Sequence, residues 1–256
     1  MKTKNDDHRY TRDIAREYEL ITLAYPGFEE FQQGMVEGID FTRAAPTGQD
    51  PEMPERGEPF HLLEIGTGDG FATEKLVRAM RDAGNSGIFT SVDIDGAMIT
   101  KARAYLDAHV TDHRVQFRES DALAYLQDEP EGSFDVVATS FTLHNFEQTY
   151  RQEVERQIHR VLRTGGFYTN ADKYAPAGQE QFDALARHMD QFFEAFVPRG
   201  KTDLLRKWVI HNISDQSPRH VMFAEETVSR LQALGFRQVT LVHRAGLQAI
   251  LRARKG

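Results

Sequence analysis

Glu64, Gly66, Gly68 and Gly70 share one stretch, His61-Leu62-Leu63-Glu64-Ile65-Gly66-Thr67-Gly68-Asp69-Gly70, whose residue types suit the binding of a nucleotide-like anion. Phe60 to Ile65 reads as a buried strand and a helix begins near Phe71, so the glycines form the turn between them. Glycine lets the backbone turn tightly and lets a ligand approach with no Cβ in the way. The helix start that follows offers unpaired N–H groups and a partial positive charge, which suit a carboxylate or a phosphate. Asp93 and Asp121 stand at or just past the ends of the next two strands, and His144 lies just past a fourth. A strand-end carboxylate can accept from both hydroxyls of a ribose. A histidine can remove a proton near neutrality.

Those residues need a scaffold that brings strand ends together. From Phe60 the chain alternates strand and helix: strands over 88–93, 115–119, 134–140 and 167–172, helices over 96–108, 122–127 and about 147–163. Such alternation predicts an α/β fold with a mostly parallel sheet covered by helices, and ligands bind there at the carboxyl ends of the strands. Val154, Ile158, Val161 and Leu162 line one face of the 147–163 helix, and Thr164-Gly165-Gly166 is expected to end it. Helices are expected over 10–24 and 28–39, broken by Tyr25-Pro26-Gly27-Phe28, with a proline- and glycine-rich connector over 44–59. The expected division is therefore an N-terminal arm and linker over 1–59 and a core over 60–256. Within the core, about 175–222 is an insertion of two helices, 178–197 and 202–211. Phe182, Leu185, Ala186, Met189, Phe192, Phe193 and Phe196 form an apolar stripe on the first. A helix over 224–234 and a hairpin, about 236–243 and 247–253, close the chain.

Composition narrows the function classes. The chain has 256 residues, 40% hydrophobic and 27% charged, enough to bury a substantial core. A formal net charge of −8 argues against a broad phosphate-tracking surface, so no nucleic-acid partner is expected. The absence of cysteine excludes disulfides, thiolate metal sites and a cysteine nucleophile. No apolar run approaches the length of a membrane span and the N-terminus carries no apolar leader, so a cytoplasmic protein with no membrane contact is expected.

NAD would call for a third glycine where Phe71 stands, and a phenylalanine there obstructs close strand–helix packing. S-adenosylmethionine has a smaller anion, and its ribose still wants Asp93. Glu64-x-Gly66-x-Gly68-x-Gly70, Val92-Asp93-Ile94-Asp95, Glu119-Ser120-Asp121-Ala122 and Leu162-Arg163-Thr164-Gly165-Gly166 resemble, in order, the motifs of class I S-adenosylmethionine-dependent methyltransferases. The Tyr25-Pro26-Gly27-Phe28 arm, Ser140-Phe141-Thr142-Leu143-His144 and the helical insertion look like the branch that includes carboxy-S-adenosylmethionine synthase. The resemblance implies a Rossmann-like seven-stranded, mostly parallel sheet with a C-terminal antiparallel hairpin, an N-terminal helical arm and a helical cap. It implies that Gly66, Thr67 and Gly68 line the methionine portion, with Glu64 near its amino group. Asp93 would hold the ribose and Ile94 would pack on the adenine. Asp121 would accept from the adenine amino group, with Ala122 beside it. Ser140 would bring its backbone near the methionine amine, and Phe141 would follow it into the site. Asp121 also reads as a helix N-cap, and both roles can coexist.

The sulfonium already activates the methyl group, so the protein must align an acceptor and exclude water. His144 is the candidate base; its alternative reading is a loop histidine bonded to a backbone carbonyl. Asn170, Asp172, Lys173 and Tyr174 could orient a small-molecule acceptor, and an arginine near the insertion, Arg199 or Arg219, could bind a carboxylate on it. Tyr10, Tyr18 and Tyr25 read as pocket or core residues. His211 and His220 show no metal spacing, and no metal is expected. The phenylalanine stripe, or the N-terminal arm, could form a homodimer face. The leading expectation is methyl transfer to a small molecule; the alternatives are a carboxy-S-adenosylmethionine synthase-like enzyme of tRNA modification and a non-catalytic S-adenosylmethionine binder.

Overall fold

The structure, a computed structural model, describes residues 20–41, 59–110 and 114–256. Two short helices come first, α1 (Ile21–Ala24) and α2 (Phe28–Val36). The expected alternation follows as β1 (His61–Ile65), α3 (Phe71–Asp82), β2 (Ile88–Asp93), α4 (Gly96–His109), β3 (Val115–Glu119), α5 (Ala122–Asp128), β4 (Phe134–Ser140), α6 (Gln148–Val161) and β5 (Leu162–Lys173). The insertion holds α7 (Gln179–Phe196) and α8 (Thr202–Asp215), and α9 (Ala224–Ala233), β6 (Phe236–Ala245) and β7 (Gln248–Lys255) complete the chain. Most of the helix expected over 10–24, with Tyr10 and Tyr18, lies outside the described residues, as does nearly all of the 44–59 connector.

The seven strands form one sheet in the order β3-β2-β1-β4-β5-β7-β6. β1 pairs in parallel with β2 and β4, β2 with β3, and β4 with β5, while β7 runs antiparallel between β5 and β6. The order reverses between β1 and β4, so the crevice at their carboxyl ends is the place where such a sheet binds ligands. Side chains alternate across the sheet. Leu63, Ile65 and Val137 face Tyr150, Val154, Ile158 and Val161 of α6. Leu62, Val136 and Ala138 face Leu76 and Val77 of α3, Leu106 of α4, and Met35 of α2. No described helix is long and apolar enough to cross a membrane.

Two local expectations are corrected. Thr164-Gly165-Gly166 does not end α6, which stops at Val161; it belongs to β5. Leu162 already pairs with Phe134, and the register shifts between Phe134 and Val136, so Gly165 at φ 74° lies in an irregular stretch of the strand. The stripe on α7 is two stripes. Ala184, His188, Phe192 and Ala195 face inward, while Phe182 and Phe193 are 61% and 49% exposed. The inward face packs with Ile21, Ala24 and Tyr25 around α1 and with Leu204, Leu205 and Trp208 of α8, so arm and insertion share one apolar cluster.

Candidate active site

The glycine turn is built by backbone that only glycine adopts easily: φ is 85° at Gly66, 55° at Gly68 and 96° at Gly70. Val92 C=O accepts from the N–H groups of Gly66 (2.8 Å) and Thr67 (3.2 Å), and Asp93 Oδ2 accepts from Gly68 N–H at 2.9 Å. A Cβ on Gly66 would collide with the Thr142 side chain, and one on Gly70 would crowd Ala102 of α4 at 3.1 Å. A Cβ on Gly68 would meet nothing within 4 Å. The turn is therefore packed from behind at two glycines and open at the third.

Beneath it lies Glu64, fully buried because β1 is a central strand. Its Oε2 accepts from Ser91 (2.6 Å) and Thr73 (2.7 Å), while its Oε1 has no hydrogen-bond partner. Burial pushes this carboxyl up to about 8, against the opposing pull of the two hydroxyls. The Thr67 hydroxyl bonds Ser91 at 2.6 Å, and Thr67 C=O accepts from Gly70 N–H at 3.2 Å. Burial also raises the Asp93 carboxyl, offset in part by the N–H groups of Asp95 and Gly68. Next to it, Ile94 is 54% exposed, an isoleucine left on the surface beside the turn. Asp121 caps α5 by accepting from Ala124 N–H (3.0 Å) and takes the Tyr150 hydroxyl at 2.8 Å, with Ala122 as the first helical residue. The capping reading of Asp121 is thus present.

At the end of β4, Ser140 Oγ bonds both ends of the Gln32 amide, at 2.9 and 3.0 Å, and its C=O accepts from Thr142 Oγ1 at 2.9 Å. Gln32 comes from α2, a contribution to this edge that no local pattern announced. Phe141 sits at φ 46°, a costly conformation for a bulky residue. Rings of Tyr25 (5.2 Å), Phe31 (5.4 Å) and Phe28 (6.2 Å) surround it, so the arm clamps the strained residue in place.

His144 lies on the short turn Leu143–Asn145 and is buried. Its Nδ1 is 2.6 Å from Asp172 Oδ1, which excludes the backbone-carbonyl alternative for that nitrogen. Asp172 also accepts from the N–H groups of Leu143 (2.9 Å) and Lys173 (2.8 Å). Across from this pair, α8 presents His211, Asn212 and Asp215. Lys173 Nζ donates to Asn212 Oδ1 and Asp215 Oδ2, each at 2.7 Å. His144 Nε2 stands 3.9 Å from Asp215 Oδ2, and His211 Nε2 stands 3.6 Å from Asp215 Oδ1. His188 of α7 lies 3.2 Å from Asn212 and 3.3 Å from the Tyr25 hydroxyl, and burial holds its imidazole down at about 3, hence neutral.

Of the β5 residues expected to face an acceptor, Asp172 and Lys173 join this cluster. Asn170 and Tyr174 instead bond each other at 2.8 Å within the buried sheet. Arg199 caps Ala195 C=O, Arg219 pairs with Glu147, and the His220 ring bonds Ser217. The sequence pattern raised His211 only as a metal ligand and left out Asp215, although His-x-x-x-Asp on a helix sets both on one face. Side-chain donor atoms of His144, His211 and Asp215 lie within 4.8 Å of one another, near enough to hold a cation. The Lys173 ammonium already neutralises the carboxylate such an ion would need.

A family profile described as a methyltransferase domain matches residues 62–166. The chain is 33% identical over 121 residues to a polyketide synthase-nonribosomal peptide synthetase, pyiS, of Pyricularia grisea, covering 45% of this chain and 3% of that protein. It is 29% identical over 113 residues to carboxy-S-adenosyl-L-methionine synthase of Photobacterium profundum, covering 44% of each. The CurJ carbon methyltransferase structure superposes with a TM-score of 0.54 at 16% identity, over 80% of this chain and 50% of that one. The chain thus spans a small part of the first relative and half or less of the other two.

Proposed function

We propose that this chain, whose residues 62–166 match a family profile described as a methyltransferase domain, is a class I S-adenosylmethionine-dependent enzyme that transfers a methyl group from S-adenosylmethionine to a small-molecule acceptor. The observation that carries the reading is the open side of Gly68, bounded by the Asp93 carboxylate and underlain by the unpartnered Glu64 Oε1. These groups fit the parts of the donor. N–H groups at the start of α3 suit its carboxylate, and Glu64 suits its ammonium. Asp93 has lone pairs left for ribose hydroxyls, and the exposed Ile94 offers an apolar face to adenine. The remaining lone pairs of Asp121, beside Ala122, suit the adenine amino group. Ser140 and Phe141 close the methionine side.

When bound, the donor supplies a methyl group on a sulfonium, which leaves with the C–S bonding pair. The protein supplies a base. Asp172 holds Nδ1–H on His144, so the lone pair sits on Nε2, where it takes the acceptor's proton as the acceptor's electron pair becomes the new bond to methyl carbon. The acceptor is a hydroxyl or an enolisable carbon. The name of the CurJ carbon methyltransferase supports the second. The arm over 1–59 and the insertion at about 175–222 serve as a cap that excludes water from a core domain over 60–256. The reading includes a cytoplasmic location. It also keeps a homodimer through the outward Phe182 and Phe193 face, which sedimentation of the purified protein would test.

A carboxy-S-adenosylmethionine synthase-like reading draws on the relative of that name, but the Asp215 carboxylate stands 3.9 Å from His144 Nε2 and opposes a carboxylate added there. Mass spectrometry of the nucleoside that co-purifies distinguishes the two. S-adenosylmethionine or S-adenosylhomocysteine is expected, and a carboxylated sulfonium would overturn simple methyl transfer. Tight donor binding with no transfer of labelled methyl to any enol or hydroxyl acceptor would make the protein a binder.

A further inference from the structure

Resting on the methyl-transfer reading and its donor site, we propose that Tyr150 of α6 is a positioning residue. Its hydroxyl holds the Asp121 carboxylate where that group accepts from the adenine amino group. Asp121 Oδ1 caps α5 by accepting from Ala124 N–H at 3.0 Å, and a cap needs only one oxygen. The other, Oδ2, accepts from the Tyr150 hydroxyl at 2.8 Å, and the hydroxyl oxygen in turn accepts from Leu123 N–H at 3.1 Å. The phenol thus satisfies a further free N–H in the first turn of α5 and keeps Oδ2 off it. Without that hydroxyl, Oδ2 is the nearest replacement for Leu123 N–H, and the carboxylate turns into the helix end and away from a purine.

The phenol is held firmly behind the carboxylate. Tyr150 is buried, with its ring edge-on to Phe146 at 4.9 Å between centroids. Burial, and the Asp121 charge beside it, push the Tyr150 hydroxyl up, so it stays a donor. Ser120 N–H donates to Asp93 C=O at 2.9 Å, which sets Asp121 at the strand end next to the one that carries Asp93. Asp121 is half-buried and Ile94 exposed, so this edge meets solvent while the phenol behind it does not. A carboxylate has about four acceptor positions, and about two remain on Asp121 after these bonds. They suit an amino group on the purine and oppose a carbonyl oxygen in its place, since neither partner would then donate.

The test is calorimetric titration with S-adenosylhomocysteine and with S-inosylhomocysteine, which carries a carbonyl oxygen in place of the adenine amino group. Wild type should bind the first at least about tenfold tighter. Tyr150→Phe, which keeps the ring, should narrow that ratio by about threefold or more, chiefly by weakening S-adenosylhomocysteine. Asp121→Asn, which keeps the capping oxygen, should bring the two compounds within about threefold, and adding Tyr150→Phe to it should change the ratio no further. A hydroxyl that served only the fold would weaken both compounds alike and leave the ratio where it stands. Equal affinity for both compounds in wild type, an unchanged ratio in Tyr150→Phe, or an effect of Tyr150→Phe that persists undiminished beside Asp121→Asn would each overturn the assignment. Failure of S-adenosylhomocysteine itself to bind wild type would instead overturn the methyl-transfer reading.

Discussion

Asp172 grips His144 at two points: Oδ1 lies 2.6 Å from the imidazole Nδ1 and Oδ2 lies 3.3 Å from the same residue's backbone nitrogen. Ring orientation and main-chain position are thus set by one buried carboxylate at the end of β5. That carboxylate is in turn held by N–H groups of Leu143 and Lys173. The arrangement fixes which imidazole nitrogen faces α8, a requirement for a base that must meet an acceptor there.

Asp172→Asn keeps the shape but presents a neutral amide to Nδ1, so the tautomer with a lone pair at Nε2 is no longer enforced. Turnover should fall by about a hundredfold or more while S-adenosylhomocysteine binding changes less than about twofold. Steady-state kinetics beside a binding titration measures both. Equal loss of binding and turnover would assign Asp172 to the donor site.

Gly68 and Gly66 separate packing from ligand contact. Gly68→Ala meets no protein atom within 4 Å but adopts φ 55°, so the variant should lose only about 1–2 kcal/mol of stability. The new methyl group occupies the space assigned to the donor, and affinity should drop by about tenfold or more. Gly66→Ala drives a Cβ into Thr142 and should lose stability and binding together. Thermal melts with and without S-adenosylhomocysteine distinguish these outcomes. Unchanged donor affinity in Gly68→Ala would remove the turn from the site.

Glu64 makes a pH prediction. Its folded carboxyl titrates at about 8, held up by burial, against roughly 4.3 when exposed. The native state therefore holds a proton that the unfolded chain has released. The associated stability is fully present below about pH 4.3 and is lost as pH rises through about 8. Relative to wild type, Glu64→Gln should melt progressively higher from about pH 5.5 to about pH 8.5. A cation at Oε1 favours the carboxylate, so donor binding near about pH 7 should release protons and its heat should vary with the buffer's ionisation enthalpy. Heats identical across buffers would place the ammonium elsewhere.

The glycine corner was legible because its signals are local: an apolar strand, three glycines in alternation and a helix start. Parallel order follows from alternation, and the strand ends bring Asp93 and Ser140 to the same edge as the turn. The His144–Asp172 pair was half legible. Each residue stood out at a strand end, but their contact joins two crossovers that no spacing reports. Lys173, His211 and Asp215 meet only because α7 and α8 fold back over β5. The two stripes of α7 read as one because apolar residues stand on both faces and Phe192 and Phe193 are adjacent, and only packing against α1 and α8 tells which side is buried. The strain at Phe141 likewise has no local signature; rings contributed by the arm pack around it.

The central claim is that the Gly68–Asp93 corner binds S-adenosylmethionine, and calorimetric titration of the purified protein with that compound tests it most directly. One-to-one binding is predicted, weakened by about tenfold or more in Asp93→Ala, because the ribose loses a charge-assisted contact and Gly68 N–H loses its anchor. No binding to the wild type, or the same affinity in Asp93→Ala, would contradict the account.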